Sequence, residues 1–297
     1  MSKEQGTVKE ENNSVVSGSS SVVSPHASRI TYHPSRIFDS MAKKYDAEFT
    51  NTLLGRMLRE QVWKIVLKHF KPGNHILEIN CGTGEDAIWM AKQGYFVTAT
   101  DASSEMIKIA KEKLSEQDIE IKRRVSFQQK SFFEISSVKV LNEFDGVLSN
   151  FGGINTTNEW EKLSDNLLQI TKPGSKIILV PMGKWCFWEM FWFSIRFDFK
   201  KAFRRFNQPA IYKTESGEMK IWYPTASDLN MSFVKSFDFV SLQGLGIFLP
   251  PSYLGKWVEK FSGFFRIMQK LDLIISKLGS SVGDHFILVM KKRESDL

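Results

Sequence analysis

The stretch "HILEINCGTGEDAIWMAKQGYFVTATDASSEM", His75 to Met106, decides the fold. An apolar run ends at the turn Gly82-Thr83-Gly84, and a helical pattern follows. Asp101 closes the next apolar run, seventeen residues after Gly84. Glycine lets a ligand approach the backbone closely, and a helix that starts there offers free N–H groups. This order of strand, glycine turn and helix therefore predicts a ligand site.

Strand and helix patterns alternate on both sides of this stretch. Amphipathic helices are indicated by apolar residues at helical spacing, such as Leu54, Leu58 and Val62. The apolar strand patterns are HILEIN, YFVTAT, RVSFQQ, FDGVLSN, KIILVP, FDFVSLQG and DHFILVMKK. Alternation of this kind predicts an α/β fold with right-handed crossovers. We expect a doubly wound, mostly parallel seven-stranded sheet with an antiparallel last strand and helical cap insertions.

The composition sets the broad class of protein. The chain has 297 residues, of which 42% are hydrophobic, a composition that is ordinary for a globular protein. Its net charge of +7 favours anionic partners or surfaces. It shows neither a long apolar run nor a signal-peptide pattern. Two cysteines, Cys81 and Cys186, favour a reducing compartment over a disulfide framework, so we expect a cytoplasmic protein. The Ser-rich residues 1–28 predict a disordered tail before one domain at 29–297.

Two aromatic segments, at about 183–224 and 250–280, interrupt the alternation and are read as insertions. On one continuous helix, the first would form an apolar stripe of Trp188, Phe191, Trp192, Ile195, Phe199, Phe203 and Phe206. A second stripe would hold Leu254, Trp257, Val258, Phe261, Phe265 and Met268. These stripes predict a cap over an acceptor pocket. Because basic residues such as Arg204 and Arg205 accompany them, peripheral contact with a membrane is a further hypothesis.

The glycine turn alone also fits a dinucleotide, and three details argue against one. Glu85 and Asp86 open the helix and would repel a pyrophosphate. Glu78, inside the strand, is costly to bury without a cationic or hydrogen-bonding partner, and a positively charged ligand would supply one. No lysine or arginine is close to the turn in the sequence. A ligand with a ribose and positive charge satisfies these conditions, and S-adenosylmethionine has both.

The motifs resemble those of class I S-adenosylmethionine-dependent methyltransferases, in the small-molecule branch of type 11 and type 25. "ILEINCGTGE" resembles the first motif, "VTATDASSEMIKIAKEKL" the second and "FDGVLSNFGGINTT" the fourth. The upstream "FDSMAKKYDAEF" is similar to the segment that folds over the cofactor. The resemblance covers residues 36–181 and the closing strands. It implies the expected fold, the cofactor S-adenosyl-L-methionine and methyl transfer.

The resemblance also assigns roles to single residues. Glu78, Cys81, Gly82 and Gly84 would line the methionine and ribose side. Asp101 would accept the ribose hydroxyls, although an aspartate there can also cap a helix. The remaining cofactor-binding residues that it implies are Tyr45, Ala102, Met106, Ser131, Phe132, Asn150 and Phe151. Ser131 departs from the family, which often has an acid beside the adenine amine.

The catalytic candidates are His285, Asp284 and Tyr45. A last strand that runs antiparallel begins at the sheet edge where ligands bind, which brings His285 and Asp284 to the cofactor side. The alternative is a histidine in a strand-start hydrogen-bond network, and Tyr45 can equally be a core residue. No metal-ligand set is visible.

The acceptor class is narrowed by what the motifs lack. "SNFGG" lacks the Pro-Pro-aromatic core of enzymes that methylate nucleic-acid amino groups, so we expect a small-molecule acceptor and no nucleic acid. The aromatic insertions favour a hydrophobic acceptor. An NAD-dependent oxidoreductase and an S-adenosylmethionine-binding protein without transferase activity are the alternatives. The sequence does not determine the oligomeric state.

Overall fold

The structure, a computed structural model, describes residues 34–135, 144–276, 278 and 282–294. The tail predicted for residues 1–28 lies outside the described residues. The described residues form nine strands: β1 (His75–Ile79), β2 (Phe96–Asp101), β3 (Val125–Gln129), β4 (Phe144–Ser149), β5 (Thr171–Leu179), β6 (Ala210–Thr214), β7 (Gly217–Ile221), β8 (Phe237–Leu245) and β9 (His285–Lys292).

Seven of these described strands form one sheet in the order β3-β2-β1-β4-β5-β9-β8. The pairs from β3 to β5 are parallel, whereas β9 is antiparallel to both β5 and β8. The predicted doubly wound sheet with an antiparallel last strand is therefore confirmed. Because the chain reverses its winding between β1 and β4, the carboxyl ends of these two strands flank the crevice where such sheets bind ligands.

The described α-helices are α1 (Pro34–Tyr45), α2 (Leu53–His69), α3 (Glu85–Lys92), α4 (Ser104–Ser115), α5 (Ile119–Lys122), α6 (Trp160–Ile170), α7 (Phe187–Ser194), α8 (Phe199–Ala202), α9 (Ala226–Phe233), α10 (Gly255–Lys260) and α11 (Ser262–Ile275). Leu54, Leu58 and Val62 of α2 are buried in a core cluster with Ile76 of β1, as the helical spacing predicts. A second cluster holds Leu163 and Leu167 of α6. The two clusters indicate helical layers on both faces of the sheet.

The first insertion is not one helix, so the long stripe predicted there is wrong. Phe197 has a φ of 59°, and the Asp198 side chain accepts a hydrogen bond from the Lys201 backbone, starting the short α8. This break reverses the chain after α7. Because of this break, the predicted apolar stripe is not continuous. The β6–β7 hairpin that follows was not predicted from the sequence.

Candidate cofactor and acceptor site

The glycine turn holds backbone conformations that favour glycine. Gly82 and Gly84 have φ values of 53° and 78°, and a Cβ on Gly84 would lie 2.5 Å from the Phe127 ring. A Cβ on Gly82 would lie 3.8 Å from Cε1 of Tyr45. The Tyr45 ring therefore lies beside the turn, where the family resemblance expects it.

Asp101 lies at the end of β2 and is hydrogen-bonded to the turn. Its Oδ2 accepts from the Gly82 N–H and its Oδ1 from the Ser103 N–H, both at 2.9 Å. Burial raises the pKa of Asp101, and these N–H groups oppose the rise. The N-cap of α4 is Ser103, whose hydroxyl accepts from the Met106 N–H. Because each carboxylate oxygen has a second lone pair, Asp101 can still accept ribose hydroxyls.

Glu78 is buried in β1 without full compensation. The residue is 1% exposed, and its Oε2 has no hydrogen-bond partner among the described residues. Burial raises the pKa of this carboxyl well above its usual range. Since a buried polar atom normally finds a partner, the free oxygen indicates a group that binds there.

Arg59 of α2 is a site residue that the sequence reading missed. Its Nη1 lies 2.5 Å from Oδ2 of Asp86, and its guanidinium lies 5.0 Å from the Phe151 ring centre. Its Nε has no hydrogen-bond partner in the part of the chain that the structure describes. Arg59 precedes the turn by more than twenty residues, so local sequence gives no signal for it.

Arg59 and Lys113 correct part of the argument against a dinucleotide. Lys113 lies 2.8 Å from Oε2 of Glu85, so both carboxylates at the start of α3 have cationic partners. The statement that no basic residue lies near the turn is wrong in three dimensions, and the expected repulsion is largely neutralised. The unpaired Oε2 of Glu78 keeps its weight as an argument.

The segment that follows α1 packs against the glycine turn. Residues Asp46–Thr50 form a short π-helix, a rare element that is frequent at functional sites. Thr83 donates a hydrogen bond of 2.6 Å from its hydroxyl to Oδ1 of Asp46. The Phe49 ring packs at 5.0 Å against that of Phe151. These contacts bring the flap that contains Tyr45 to the glycine turn.

Burial raises the pKa of Tyr45 to about 12, so its hydroxyl stays protonated at neutral pH. A protonated phenol can donate a hydrogen bond but cannot act as a ready base.

Asn150 and Phe151 follow β4. The Asn150 amide donates to Oδ2 of Asp86 at 3.0 Å, and its Oδ1 accepts from the Phe151 N–H at 3.0 Å. Phe151 has a φ of 47°, an uncommon value for a bulky residue. Such strain is typical of functional positions, which agrees with the expected backbone role of this segment.

The other expected cofactor residues are distributed around the ends of β1, β2 and β3. Cys81 and Met106 are buried, and Ala102 is exposed. The backbone N–H and hydroxyl of Ser131 both donate to Oε2 of Glu134, at 2.9 and 2.8 Å. An acid is thus present three residues after the position where the family often has one. Phe132 packs against the second core cluster.

His285 and Asp284 lie at the start of β9. The edge of the His285 ring meets the Phe151 ring at 5.6 Å, and its Nδ1 lies 3.3 Å from Oδ2 of Asp284. Oδ1 of Asp284 pairs with Nη2 of Arg205 at 2.6 Å. Burial alone would raise the pKa of Asp284, but His285 and Arg205 outweigh it and hold the pKa below its usual range. His285 thus contacts the fourth motif directly, through Phe151.

Arg205 does not lie on an exposed basic face, contrary to the sequence reading. It is buried between Glu189 of α7 and Asp284, and its Nη1 donates to the Gly183 and Asp284 carbonyl oxygens. Arg204 also bonds Glu189. The break before α8 allows this, because it turns both arginines back towards α7.

The two insertions contact each other directly. The Trp192 and Trp257 rings meet edge to face at 4.7 Å, and the Arg196 guanidinium covers Trp192 at 3.6 Å. Leu254, Val258 and Phe265 are buried as the second stripe predicts, whereas Trp257 and Phe261 of the same stripe are exposed. At Trp192 the space between the insertions is filled by their own side chains.

Comparison with known proteins agrees with this geometry. A sequence model described as "Methyltransferase domain" matches residues 76–174. Residues 76–174 therefore match a methyltransferase domain, and the sheet has the strand order of the class I fold. The motif resemblance is thereby confirmed, and both insertions lie beyond the matched residues.

A curated relative and two solved structures illustrate the likeness. The demethylmenaquinone methyltransferase of Leptospira interrogans is 28% identical over 151 residues, which is 50% of this chain and 59% of that protein. The chain therefore spans less than two thirds of that relative's length. A SAM-dependent methyltransferase structure from Methanosarcina mazei superposes with a TM-score of 0.54 at 15% identity, covering 77% of this chain and 97% of that one.

The phosphoethanolamine N-methyltransferase 2 of Haemonchus contortus, solved with S-adenosyl-L-methionine, gives a TM-score of 0.53 at 16% identity, covering 86% of this chain and 57% of that one. At these identities the structures support the fold of the methyltransferase domain. In the described part of this chain, no helix has both the length and the apolar character needed to cross a membrane.

Proposed function

We propose that this protein is an S-adenosylmethionine-dependent methyltransferase that acts on a small hydrophobic molecule. The observation that carries the proposal is a pair of buried, oppositely charged side chains beside the glycine turn, each with one polar atom that the described residues leave unpaired. Oε2 of Glu78 and Nε of Arg59 have no hydrogen-bond partners among the described residues. The methionine part of the cofactor carries an ammonium and a carboxylate, which match an acid and a guanidinium.

The same pair separates this cofactor from a dinucleotide. A pyrophosphate brings two negative charges and has no ammonium for Glu78. Lys113 is already engaged by Glu85 and Asp46, and Arg59 keeps only Nε unpaired among the described residues, which suits one carboxylate better than a pyrophosphate. We therefore infer a ligand that has both charges, together with a ribose for Asp101.

The remaining predicted residues are assigned by proximity. We propose that Gly82, Gly84 and Cys81 border the cofactor backbone, that Ala102, Met106, Ser131 and Phe132 border the adenine, and that Asn150 and Phe151 border the methionine part. When bound, S-adenosylmethionine supplies a methyl group on a sulfonium leaving group. The protein then needs chiefly to align the acceptor and exclude water. Tyr45 and Phe49 of the flap fit the second task.

We assign proton removal, where the acceptor requires it, to His285. Its neighbour Asp284 stays ionised because Arg205 and His285 keep its pKa low, so the carboxylate, 3.3 Å from the imidazole Nδ1, can stabilise the charged form of the ring. Tyr45 is the weaker candidate for this step, since its raised pKa keeps the phenol protonated.

The acceptor class rests on the aromatic surroundings and on the relatives. Phe49, Phe151 and the His285 ring adjoin one another near the turn. The Leptospira relative is named for methylation of demethylmenaquinone, a quinone precursor. We propose an acceptor of this kind for the present chain, with the two insertions as a cap of one domain at 29–297. The buried free thiols Cys81 and Cys186 favour the cytoplasm.

Titration calorimetry with S-adenosylhomocysteine and NAD tests the cofactor. We expect binding of the first and none of the second. Asp101→Ala should weaken the binding by about 2–4 kcal/mol, because it removes charge-assisted hydrogen bonds to the ribose. Asp238→Ala is a matched control, since Asp238 is an exposed carboxylate on β8. Unchanged affinity in Asp101→Ala would disprove the ribose assignment.

Transfer is tested separately, with a demethylated naphthoquinone bearing a short prenyl tail and methyl-labelled cofactor. His285→Ala should keep S-adenosylhomocysteine affinity within about twofold, equivalent to about 0.4 kcal/mol, while lowering turnover at least about a hundredfold if the histidine is the base. Tight cofactor binding without label transfer to any hydrophobic acceptor would instead favour a binding protein.

A further inference from the structure

The outer face of α11 is apolar and exposed. Phe264, Ile267, Leu271 and Ile274 follow one another at intervals of three, four and three residues, and Leu278 continues the series past the helix end. These five side chains, here called the α11 outer stripe, are 37% to 86% exposed. Intervals of three and four place residues on one helical face. The second stripe predicted from the sequence contains none of them.

The rotation of α11 is fixed by its inner face, so the outer stripe cannot turn inward. Asp272 is fully buried, and its carboxylate accepts hydrogen bonds from the Gln61 side chain and from the backbone N–H groups of Gly246, Ile247 and Phe248. Phe265 packs in the first core cluster. A buried carboxylate with four donors is costly to expose, and therefore the helix has two separate faces, one anchored and one free.

Basic side chains border the outer stripe. Arg266 and Lys270 lie on α11 and Lys256 and Lys260 on α10, and all four are exposed. Of the acidic residues of these two helices, Asp272 is buried, and Glu259 is exposed but accepts the Leu53 N–H at 2.6 Å. The surface is therefore apolar along its centre and positively charged along its side.

The first insertion extends this surface. Through the Trp192–Trp257 contact, α7 adjoins α10. Further aromatic side chains are exposed in this insertion, among them Phe187, Phe191, Phe197, Phe199 and Phe203. Arg196, Lys200 and Lys201 are exposed between them. Exposed apolar side chains in such number on two contacting insertions are typical of an interaction surface.

We propose that the α11 outer stripe and the exposed side chains of α7 and α10 dock on an anionic lipid bilayer. An interfacial helix combines exactly the two properties found here, an apolar face with Phe and Leu and flanking Lys and Arg. Charge decides between the candidate partners. A second copy of this chain would bring its own basic side chains against these, whereas an anionic bilayer complements them. The proposal is independent of methyl transfer.

Cosedimentation with vesicles of phosphatidylcholine, with or without phosphatidylglycerol, tests the proposal. We expect the unmodified protein to bind the anionic vesicles at least about tenfold more tightly than the neutral ones. Ile267→Glu/Ile274→Glu and, separately, Arg266→Glu/Lys270→Glu should each weaken binding to anionic vesicles at least about tenfold. These residues are exposed, so S-adenosylhomocysteine affinity should stay within about twofold.

Matched controls change the same chemistry elsewhere. Ile119→Glu/Met231→Glu alters two exposed apolar residues of α5 and α9, and Lys122→Glu/Arg123→Glu alters two exposed basic residues beside each other. Both should bind anionic vesicles like the unmodified protein. Absent binding, equal binding to neutral vesicles, or an equal loss in the controls would overturn the proposal. A dimer in solution that Ile267→Glu/Ile274→Glu converts to a monomer would also overturn it, in favour of a self-association surface.

Discussion

Glu78 and Glu189 are two glutamates that are each 1% exposed, yet their surroundings differ. Glu189, in the first insertion, bonds both Arg204 and Arg205. Glu78, beside the glycine turn, keeps an oxygen without a partner among the residues that the structure describes. Burying a charge is expensive unless it is paired. The paired glutamate is accounted for by the fold alone, whereas the unpaired one has an oxygen left for a ligand.

The apolar residues of the two regions show the opposite contrast. Around the turn, the apolar side chains of Phe127 and Met106 are buried, and the atoms that lack a partner among the described residues are polar. In the insertions the charges at the centre are satisfied, and the unsatisfied groups are exposed aromatic side chains. Each region is therefore incomplete in a different respect. The first suits a small polar cofactor, and the second suits an apolar surface.

The largest effect is expected at Arg205. Arg205→Met leaves Asp284 without its guanidinium and Glu189 with Arg204 alone, so unfolding in denaturant should show a loss of about 3–5 kcal/mol. Arg204→Met is the matched variant, because Arg204 is partly exposed and shares Glu189; it should cost about 1 kcal/mol. Equal losses in the two variants would mean that the cluster is not organised around Arg205.

A smaller effect with two opposite signs is expected at Glu78. Glu78→Gln removes the charge that attracts the cofactor ammonium, so S-adenosylhomocysteine affinity should fall by about 1.5–3 kcal/mol. The ligand-free protein should be as stable as the unmodified protein or more stable, because a buried charge is replaced by a neutral amide. Calorimetry and thermal unfolding measure the two quantities. A variant that loses stability and keeps its affinity would place Glu78 with Glu189, as a structural residue.

Part of the pH dependence of stability follows from the same residue. The folded pKa of Glu78 is raised, so the folded protein holds this proton more tightly than the unfolded chain does. Above the unfolded value of about 4.3, stability therefore falls as pH rises towards the folded pKa, by about 1.4 kcal/mol for each unit between the two values. Glu78→Gln should flatten this part of the curve. An unchanged slope in denaturation between about pH 4.5 and 7 would contradict the assignment.

Asp284 contributes with the opposite sign. Its folded pKa is depressed, so the stability that it provides is present above about pH 4 and is lost as pH falls below that value. The two acids therefore act in separate pH ranges, and the slope above about pH 4.5 reports on Glu78 without interference from Asp284.

The sheet and the glycine turn could be predicted from the sequence because their signals are local. Apolar runs, Gly82, Gly84 and Asp101 each act within a few residues of their own position. Arg59 could not be predicted as a site residue, since its approach to Asp86 depends on how α2 packs against α3. The break of the first insertion has a local signal in Asp198, since aspartate is a frequent N-cap residue, but the aromatic spacing alone also fits one continuous helix.

The orientation of α11 shows the same limit. Helical spacing in that segment fits two faces, one with Phe265 and Met268 and one with Phe264 and Leu271. The choice between them is made by Asp272, whose hydrogen-bond donors come from α2 and from the loop after β8. A sequence pattern cannot rank faces that distant residues decide.

The smallest effect is expected at Thr83. It tests whether the flap contact serves the fold, as Glu189 does, or ligand binding, as proposed for Glu78. Thr83 is buried, and its hydroxyl joins the glycine turn to Asp46 of the flap. Thr83→Val keeps the shape but removes the donor, while Asp46 retains Lys113 at 3.3 Å. If the contact holds the flap over the cofactor, S-adenosylhomocysteine affinity should fall by about 0.5–1.5 kcal/mol.

Thr83→Ser retains a hydroxyl and should bind the ligand like the unmodified protein. A loss of stability in Thr83→Val without a loss of affinity would show that the flap is held independently of the ligand. In that case Thr83 and Asp46 would resemble the self-sufficient Glu189 cluster, and ligand binding would depend on Glu78, Arg59 and Asp101 alone.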